Sequence, residues 1–471
     1  MKKKISVIGG GISGLIAAAL MSKGNEVIVL EKSESLGGLC QTITSGTTNY
    51  YLGAHHLGGI SKSGPIGKIL NQLAIDYDAT FTETEYLTIL LAGKSYQLPV
   101  KLSELSIYIR ANFPDETAVE AFIQKLISYQ KAFIANDDAL LLKMFMETSQ
   151  KSFDQFLSDY FRSDLLKKLL LSFGPGYGAV LGEDSAFTVL SLIISYSIGA
   201  CYVKGGPQQL IQKLKQQIIA NGGKFQKNTE CLELLVDKGN TVTGIRCKEL
   251  ETNTIFEIKA DKIISTVFPF NILPESCQML RNTVKMKKLE KGPSVFRVFA
   301  ELTEDVQGLT SDNTYLGTDM SHLTKEQLYL TPYSKQLPIC MISLPYKADP
   351  LFNKSKKTIM FTFLLHNHKE KVEMATALKL IREAMPEIFD KLEAPFALEN
   401  DDYSKVVSVD EGSVFGWVRT GKSVQNTNSF SPVFKGISGL YICGNWSTDF
   451  GVYGAFRSAY KIYTILEENE T

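Results

Sequence analysis

The chain has 471 residues, 44% of them hydrophobic, and its 50 Lys plus Arg are balanced by 50 Asp plus Glu. A formal charge of zero provides no global field to gather nucleic acid or an acidic polymer, so no nucleic-acid partner is expected. The length exceeds one ordinary domain and predicts about three units, or two with a long insertion, while seven scattered cysteines without a CxxC pair predict neither a disulfide framework nor a metal site.

Met1-Lys2-Lys3-Lys4 leads straight into an apolar run, without the hydrophobic stretch and cleavage site of a secretory leader, and a cytoplasmic location is the expectation. Ile5 to Ile8 reads as a buried parallel strand, Gly9-Gly10-Gly11-Ile12-Ser13-Gly14 as a turn, and Leu15 to Leu20 as the start of a helix. The glycines of the Gly-x-Gly-x-x-Gly spacing have separate tasks. Gly9 permits the tight turn, Gly11 lets backbone N–H groups approach a pyrophosphate at the positive end of the helix, and Gly14 lets helix and strand pack closely. Gly24 ends the helix, and the strand Val27-Ile28-Val29-Leu30 delivers Glu31, followed by Lys32, at the distance where an acid takes the ribose hydroxyls of an adenosine. Together these elements form a dinucleotide-binding βαβ unit.

Glu31 is followed by a second glycine pair, Gly37-Gly38, in the run Glu31-Lys32-Ser33-Glu34-Ser35-Leu36-Gly37-Gly38. Here the chain resembles the superfamily of FAD-dependent amine oxidases and phytoene desaturases. The loop Gly37-Gly38-Leu39-Cys40-Gln41-Thr42 and the later Tyr51-Leu52-Gly53-Ala54-His55-His56-Leu57-Gly58 are most similar to its branch of carotenoid isomerases and retinol saturases. The resemblance implies FAD as cofactor, with Gly37, Gly38, Leu39, Gly53, Ala54 and His55 among its contacts. Leu39 stands where amine oxidases place a basic residue, a departure that argues against amine oxidation. A histidine is common in that branch at the His55 position, and an imidazole there would contact the flavin or donate a proton.

Further along, Leu87–Leu91 and Lys94–Leu98 read as strands, whereas 102–195 carries mostly helical signals, such as Ala118 to Ile127 with Pro114 marking a start. Leu165-Leu166-Lys167-Lys168-Leu169-Leu170-Leu171 mixes lysines with leucines at helical spacing; an amphipathic helix is expected, with peripheral bilayer contact as a second possibility. Ala186 to Val203 has no charged residue and approaches the length of a membrane span, but its serines, tyrosines and Gly199 favour a buried helix running into a strand. The stretch Gly199 to Leu210, with Gly222-Gly223 after a helix, is similar to the family segment that re-enters the nucleotide domain. Ser294–Ala300, Ile339–Leu344 and Thr358–Leu365 read as strands of a separate, mostly antiparallel sheet. On the first of these, Arg297 beside Phe296 must snorkel, face solvent or bind an acid, and a solvent-facing side chain is expected. Near the C-terminal end, Gly439 to Ser447 and Gly451-Val452-Tyr453-Gly454-Ala455 resemble the segment passing under the flavin, which implies cofactor contacts at Gly444, Asn445, Gly451, Val452 and Tyr453. Asn445 stands where the family usually has an acid, and it still hydrogen-bonds without charge.

The expected fold class is α/β: a discontinuous Rossmann-like FAD-binding domain (1–75, 200–268 and 425–471), a mixed or antiparallel sheet domain for substrate (76–101 and 269–424) and a helical lobe (102–199). No second Gly-x-Gly-x-x-Gly follows a strand, so a separate NAD(P)H domain is not expected. The resemblance implies hydride transfer between FAD and a long apolar unsaturated substrate, giving desaturation, saturation or isomerisation, with His55 and Tyr453 as candidate catalytic residues. A flavin-dependent amine or amino-acid oxidase and a non-catalytic flavin-binding lipid carrier are the alternatives. The oligomeric state is not legible in the sequence.

Overall fold

Strand β1 (Lys4–Ile8) is buried from Ile5 to Ile8, as a strand covered on both faces must be. It pairs in parallel with β2 (Glu26–Leu30) on one edge and with Lys262–Ser265 on the other, while Lys224–Gln226 and Leu440–Ile442 extend the sheet outward, also in parallel. This computed structural model describes residues 2–175, 184–277, 290–317, 325–354, 356–366, 369–398, 403, 413–418, 432–447 and 451–468. The five-stranded sheet thus draws strands from both ends and the middle of the chain. Helix α1 (Ile12–Ser22), buried from Gly14 to Ser22, packs against β1 and against the helices Gln208–Ala220 and Gly451–Glu468. A three-stranded antiparallel meander, Thr229–Val236, Val242–Glu249 and Ile255–Lys259, leads into Lys262–Ser265; the sequence reading missed it because charged residues interrupt its apolar pattern.

A second sheet of seven strands runs in the order Leu392–Leu398, Ser294–Leu302, Thr358–Leu365, Cys340–Ser343, Asp312–Gly317, Tyr86–Leu91 and Lys94–Pro99. All its pairs are antiparallel except Asp312–Gly317 with Tyr86–Leu91. Five of these strands coincide with the expected runs, and two, Asp312–Gly317 and Leu392–Leu398, were not anticipated. Polar residues open the former, and the latter contains Pro395 and an Ala394 at φ +47°, features that confine it to the edge.

Between the strands Lys94–Pro99 and Ala200–Val203 lie the helices of the lobe, from Leu102–Asn112 to Ala186–Ile198. The helix Val119–Ala135 is capped at Ala118, so Pro114 follows the end of the preceding helix and does not open this one. Ala186–Ile198 runs into the strand Ala200–Val203, which pairs with Leu57–Gly58 and Phe81–Glu83. Its serines turn inward on their own helix: Ser191, Ser195 and Ser197 donate to the carbonyls of Phe187, Leu192 and Ile194 at 2.7, 2.8 and 2.7 Å. In Asp164–Leu171 the side chains of Leu166, Leu169, Leu170 and Leu171 are buried, so its leucine face is turned to the core and away from any bilayer. Among the described residues no helix is long and apolar enough to cross a membrane.

The contact between β1 and α1 depends on Gly14, where a Cβ would stand 2.0 Å from the Gly9 carbonyl oxygen, whereas a Cβ on Gly24 would meet nothing within 4 Å. Gly14→Ala is therefore expected to cost on the order of 3 kcal/mol or more, and Gly24→Ala less than about 0.5 kcal/mol. Thermal or denaturant unfolding of the two variants beside the parent chain checks this.

Candidate active site

The glycine-rich turn is built to leave a surface open. Gly9 adopts φ +98° and has no room for a side chain, since a Cβ would lie 2.1 Å from Thr266 Oγ1; its N–H donates to the Leu30 carbonyl at 2.8 Å. Gly11 is different: a Cβ there would meet nothing nearer than the Gly38 Cα at 3.8 Å, so its face is open to a ligand at the N-terminus of α1. Glu31 accepts from the Gly10 N–H at 2.6 Å and the Ser33 N–H at 2.8 Å. A carboxylate has about four acceptor sites, so two backbone bonds fix its plane and leave lone pairs for the hydroxyls of a ribose.

A cavity of about 470 Å³ is lined by Glu31 and Lys32, by Gly9, Gly11, Ile12 and Ser13, by Gly38 and Leu39, by Gly53, Ala54 and His55, and by Phe133, Phe173 and Phe187 of the helical lobe, with Arg457 and Lys461 also in its wall. Asn445, Gly451, Val452 and Tyr453 line it from the C-terminal segment, so two helix N-termini face it. Gly14, Gly37 and Gly444 do not line it. Gly14 lies behind the wall against Gly9; Gly37 takes φ +120° and donates to the Gly10 carbonyl at 2.8 Å; a Cβ on Gly444, at φ +79°, would stand 2.5 Å from Ser13 Oγ. These three glycines shape the binding surface without forming it. Asn445 donates to the Val414 carbonyl at 2.9 Å. The Tyr453 ring stacks on Phe133 at 6.1 Å between centroids and lies so close to Gly59 that a Cβ there would meet it at 2.2 Å.

At the waist of the cavity, His55 and His56 diverge around one carboxylate. The N–H at Nδ1 of His55 donates to the Gly53 carbonyl at 2.8 Å, which leaves Nε2 to face Ser343 Oγ at 2.7 Å and Asp312 Oδ1 at 3.4 Å. His56 reaches Asp312 Oδ2 at 3.5 Å through Nδ1 and Thr84 Oγ1 at 2.7 Å through Nε2. Asp312 is only 8% exposed and accepts further bonds from Tyr202 at 2.8 Å and Ser311 at 2.9 Å. Burial alone would raise its carboxyl, but the charges of His56 and His55 and the Tyr202 hydroxyl outweigh burial and hold it below the usual range. Burial lowers His56 from its ordinary value, against the pull of Asp312.

Asp312 and Ser343 were not found by sequence reasoning, because each lies far along the chain from His55 and meets it only through sheet pairing. Thr229, Glu230, Cys231 and Thr266, which line the nucleotide end, were likewise missed; Glu230 pairs with Lys32 at 2.8 Å. Arg297 overturns the expectation of a solvent-facing side chain: it is 7% exposed, lines the cavity, and donates from Nε to Thr362 Oγ1 at 3.0 Å and from Nη1 to the Leu52 carbonyl and, at 2.8 Å, to the Tyr403 hydroxyl. Its strand is paired on both edges and buried on both faces, so the side chain at this position has no path to solvent.

Residues 12–462 match the family described as flavin containing amine oxidoreductase. The chain belongs to that family. It is an FAD-dependent oxidoreductase, and the open Gly11 surface, the oriented Glu31 carboxylate and the two helix N-termini are residues that fit the cofactor. Two curated relatives are 25% identical: a protein named inactive all-trans-retinol 13,14-reductase from Danio rerio, over 380 residues (74% of this chain, 62% of that protein), and all-trans-retinol 13,14-reductase from Macaca fascicularis, over 389 residues (74% and 63%). The chain therefore spans 62–63% of the length of these relatives. A 4,4'-diapophytoene desaturase from Staphylococcus haemolyticus is 23% identical over 330 residues, 64% of each chain. Among solved structures, an oxidoreductase from Methanosarcina mazei shares the fold with a TM-score of 0.65 at 19% identity, covering 98% of this chain and 100% of its own.

Glu31→Ala is expected to weaken FAD binding by roughly tenfold or more, from loss of charge-assisted hydrogen bonds; titration of the apoprotein with FAD checks this. A second expectation concerns pH. Because His56 is held below its ordinary value of 6.5 in the fold, the unfolded chain takes up a proton first as pH falls, so the neutral His56 contributes stability above 6.5 that is lost below it. Unfolding free energies across this range should fall less steeply with acid for His56→Gln than for the parent.

Proposed function

We propose that this flavoenzyme transfers hydride between FAD and a carbon of a long, apolar, unsaturated substrate such as a carotenoid, a retinoid or a polyunsaturated lipid, with desaturation, saturation or isomerisation as the outcome. The carrying observation is that one cavity is lined both by Glu31, Gly11 and Gly53 and by an apolar group from the helical lobe, Phe133, Leu141, Phe173, Phe187 and Leu192. An apolar chamber beside the reacting centre desolvates a hydrocarbon chain and excludes water. The names of the retinol reductase and diapophytoene desaturase relatives, both describing reactions at carbon–carbon bonds of apolar molecules, support the same substrate class.

FAD, when bound, supplies or accepts the hydride. The accompanying proton is assigned to His55, whose Nδ1–H is committed to the Gly53 carbonyl and whose Nε2 faces Ser343 and Asp312. From this position in the cavity wall the imidazole passes a proton to or from the substrate. Tyr453 bounds the cavity through its ring, packed against Phe133 and Gly59, and its assigned role is to shape the substrate channel. Amine oxidation is less well supported, because Leu39 lacks the family's basic group and the buried guanidinium of Arg297 would repel an ammonium in the same cavity.

The test uses FAD-loaded protein without oxygen. Retinol or diapophytoene should reoxidise the photoreduced flavin or bleach the oxidised one, while putrescine or benzylamine leaves its visible spectrum unchanged; bleaching by the amines with no response to either polyene would overturn the reading. His55→Ala should retain FAD and lower the rate by about 100-fold, the usual scale for loss of a general acid.

A further inference from the structure

Arg297 is a buried cation of this cavity, which Arg457 and Lys461 also line. It is 7% exposed, and its hydrogen bonds go to neutral oxygens alone: Thr362 Oγ1, the Leu52 carbonyl and the Tyr403 hydroxyl. Nη1 and Nε are thereby used, Nη2 makes no hydrogen bond to any described residue, and no described carboxylate lies within ion-pair distance of the guanidinium. A buried guanidinium without a counter-charge is costly to a fold, and among the described residues none supplies one, whereas an anionic ligand in the cavity would.

The sheet places this cation in the substrate space. Arg297 is in register with Thr362, Thr362 with Met341, and Met341 with Thr314, so the four form one row across four strands, and all four line the cavity. Two residues further along the same face on the last two strands are Ser343 and Asp312, the partners of His55. Strand spacing of about 4.8 Å puts the backbone of Arg297 roughly 14 Å from that of the Thr314 strand. The negative charge of Asp312 is engaged by His55, His56, Tyr202 and Ser311 two residues further along the wall, so it is not the counter-charge of Arg297.

We infer that Arg297 binds the carboxylate of the substrate, which is therefore an unsaturated acid anchored by its head group on the sheet wall with its apolar chain in the helical chamber. The inference rests on the reading of this cavity as the site for an apolar unsaturated substrate, and it adds the acidic end. With Nε and Nη1 engaged, the two Nη2 protons are the donors still available, and one of them reaches a carboxylate oxygen as a charge-assisted bond.

The experiment compares acids with the corresponding alcohols on the FAD-loaded protein at neutral pH, with retinoate against retinol and oleate against oleyl alcohol, by equilibrium perturbation of the flavin spectrum. Each acid should bind tighter than its alcohol by roughly tenfold or more, the scale of a charge-assisted pair. Arg297→Met should remove the preference, and Arg297→Lys should reduce it, because a compact ammonium replaces the planar group that Thr362, Leu52 and Tyr403 hold in position. Equal binding of acid and alcohol by the parent protein, or a preference that survives Arg297→Met, overturns the inference. So does an unchanged preference accompanied by a lowered flavin midpoint potential in Arg297→Met, which would assign the guanidinium to the reduced cofactor. If Arg297→Met fails to retain FAD, the parent comparison and Arg297→Lys decide. An Arg297-dependent preference for oleate with no binding of either retinoid would retain the anion site and remove the polyene reading.

Discussion

Close contact between β1 and α1 is the constraint from which the binding surface follows. Gly14 lies against the Gly9 carbonyl with no space for a methyl group, and this fixes the height of the helix above the strand. With the helix at that height, its first N–H groups and the bare face of Gly11 look into the cavity. The helix Gly451–Glu468 packs on α1, so its own N-terminus opens on the same space. Parallel pairing extends the effect: β1 has partners at 26–30 and 262–265, and parallel neighbours need crossovers, so the chain between them is free to build the lobe and part of the second sheet.

The second sheet contributes a wall with two electrical ends. Asp312 is buried among two imidazoles and two hydroxyls, and their combined pull keeps it ionised against the cost of burial. Arg297 is buried among a carbonyl and two hydroxyls, which satisfy hydrogen bonds but not charge. Among the described residues, one end has its counter-charges and the other has none. A ligand entering this space therefore meets the Arg297 charge on the sheet wall, with Arg457 and Lys461 also in the lining, conditions that suit an acidic amphiphile and oppose an ammonium ion.

Local features were the legible ones. The turn at Gly9 to Gly14, the acid at the end of β2 and the strand Thr358–Leu365 each have short-range signals: glycine spacing, apolar continuity and an abrupt end. The segment Ala186–Val203 was also legible, since its polar groups find partners on their own helix. Less legible were elements whose stability is borrowed from neighbours. The meander from 229 to 259 mixes charged and apolar residues, Leu392–Leu398 carries Pro395 and a left-handed Ala394, and Asp312–Gly317 starts with an acid that looks like a loop residue until two histidines close around it.

From the residues alone came the cofactor class and the βαβ unit that receives it, because a pyrophosphate is bound by backbone geometry and backbone geometry is encoded locally by glycine. Tertiary structure decided which of those glycines face the cavity and which support it from behind. It also decided the partners of His55 and the inward turn of Arg297. Those depend on sheet register between strands remote in sequence, and register is settled by the burial of whole faces together, a quantity that no short stretch of sequence contains.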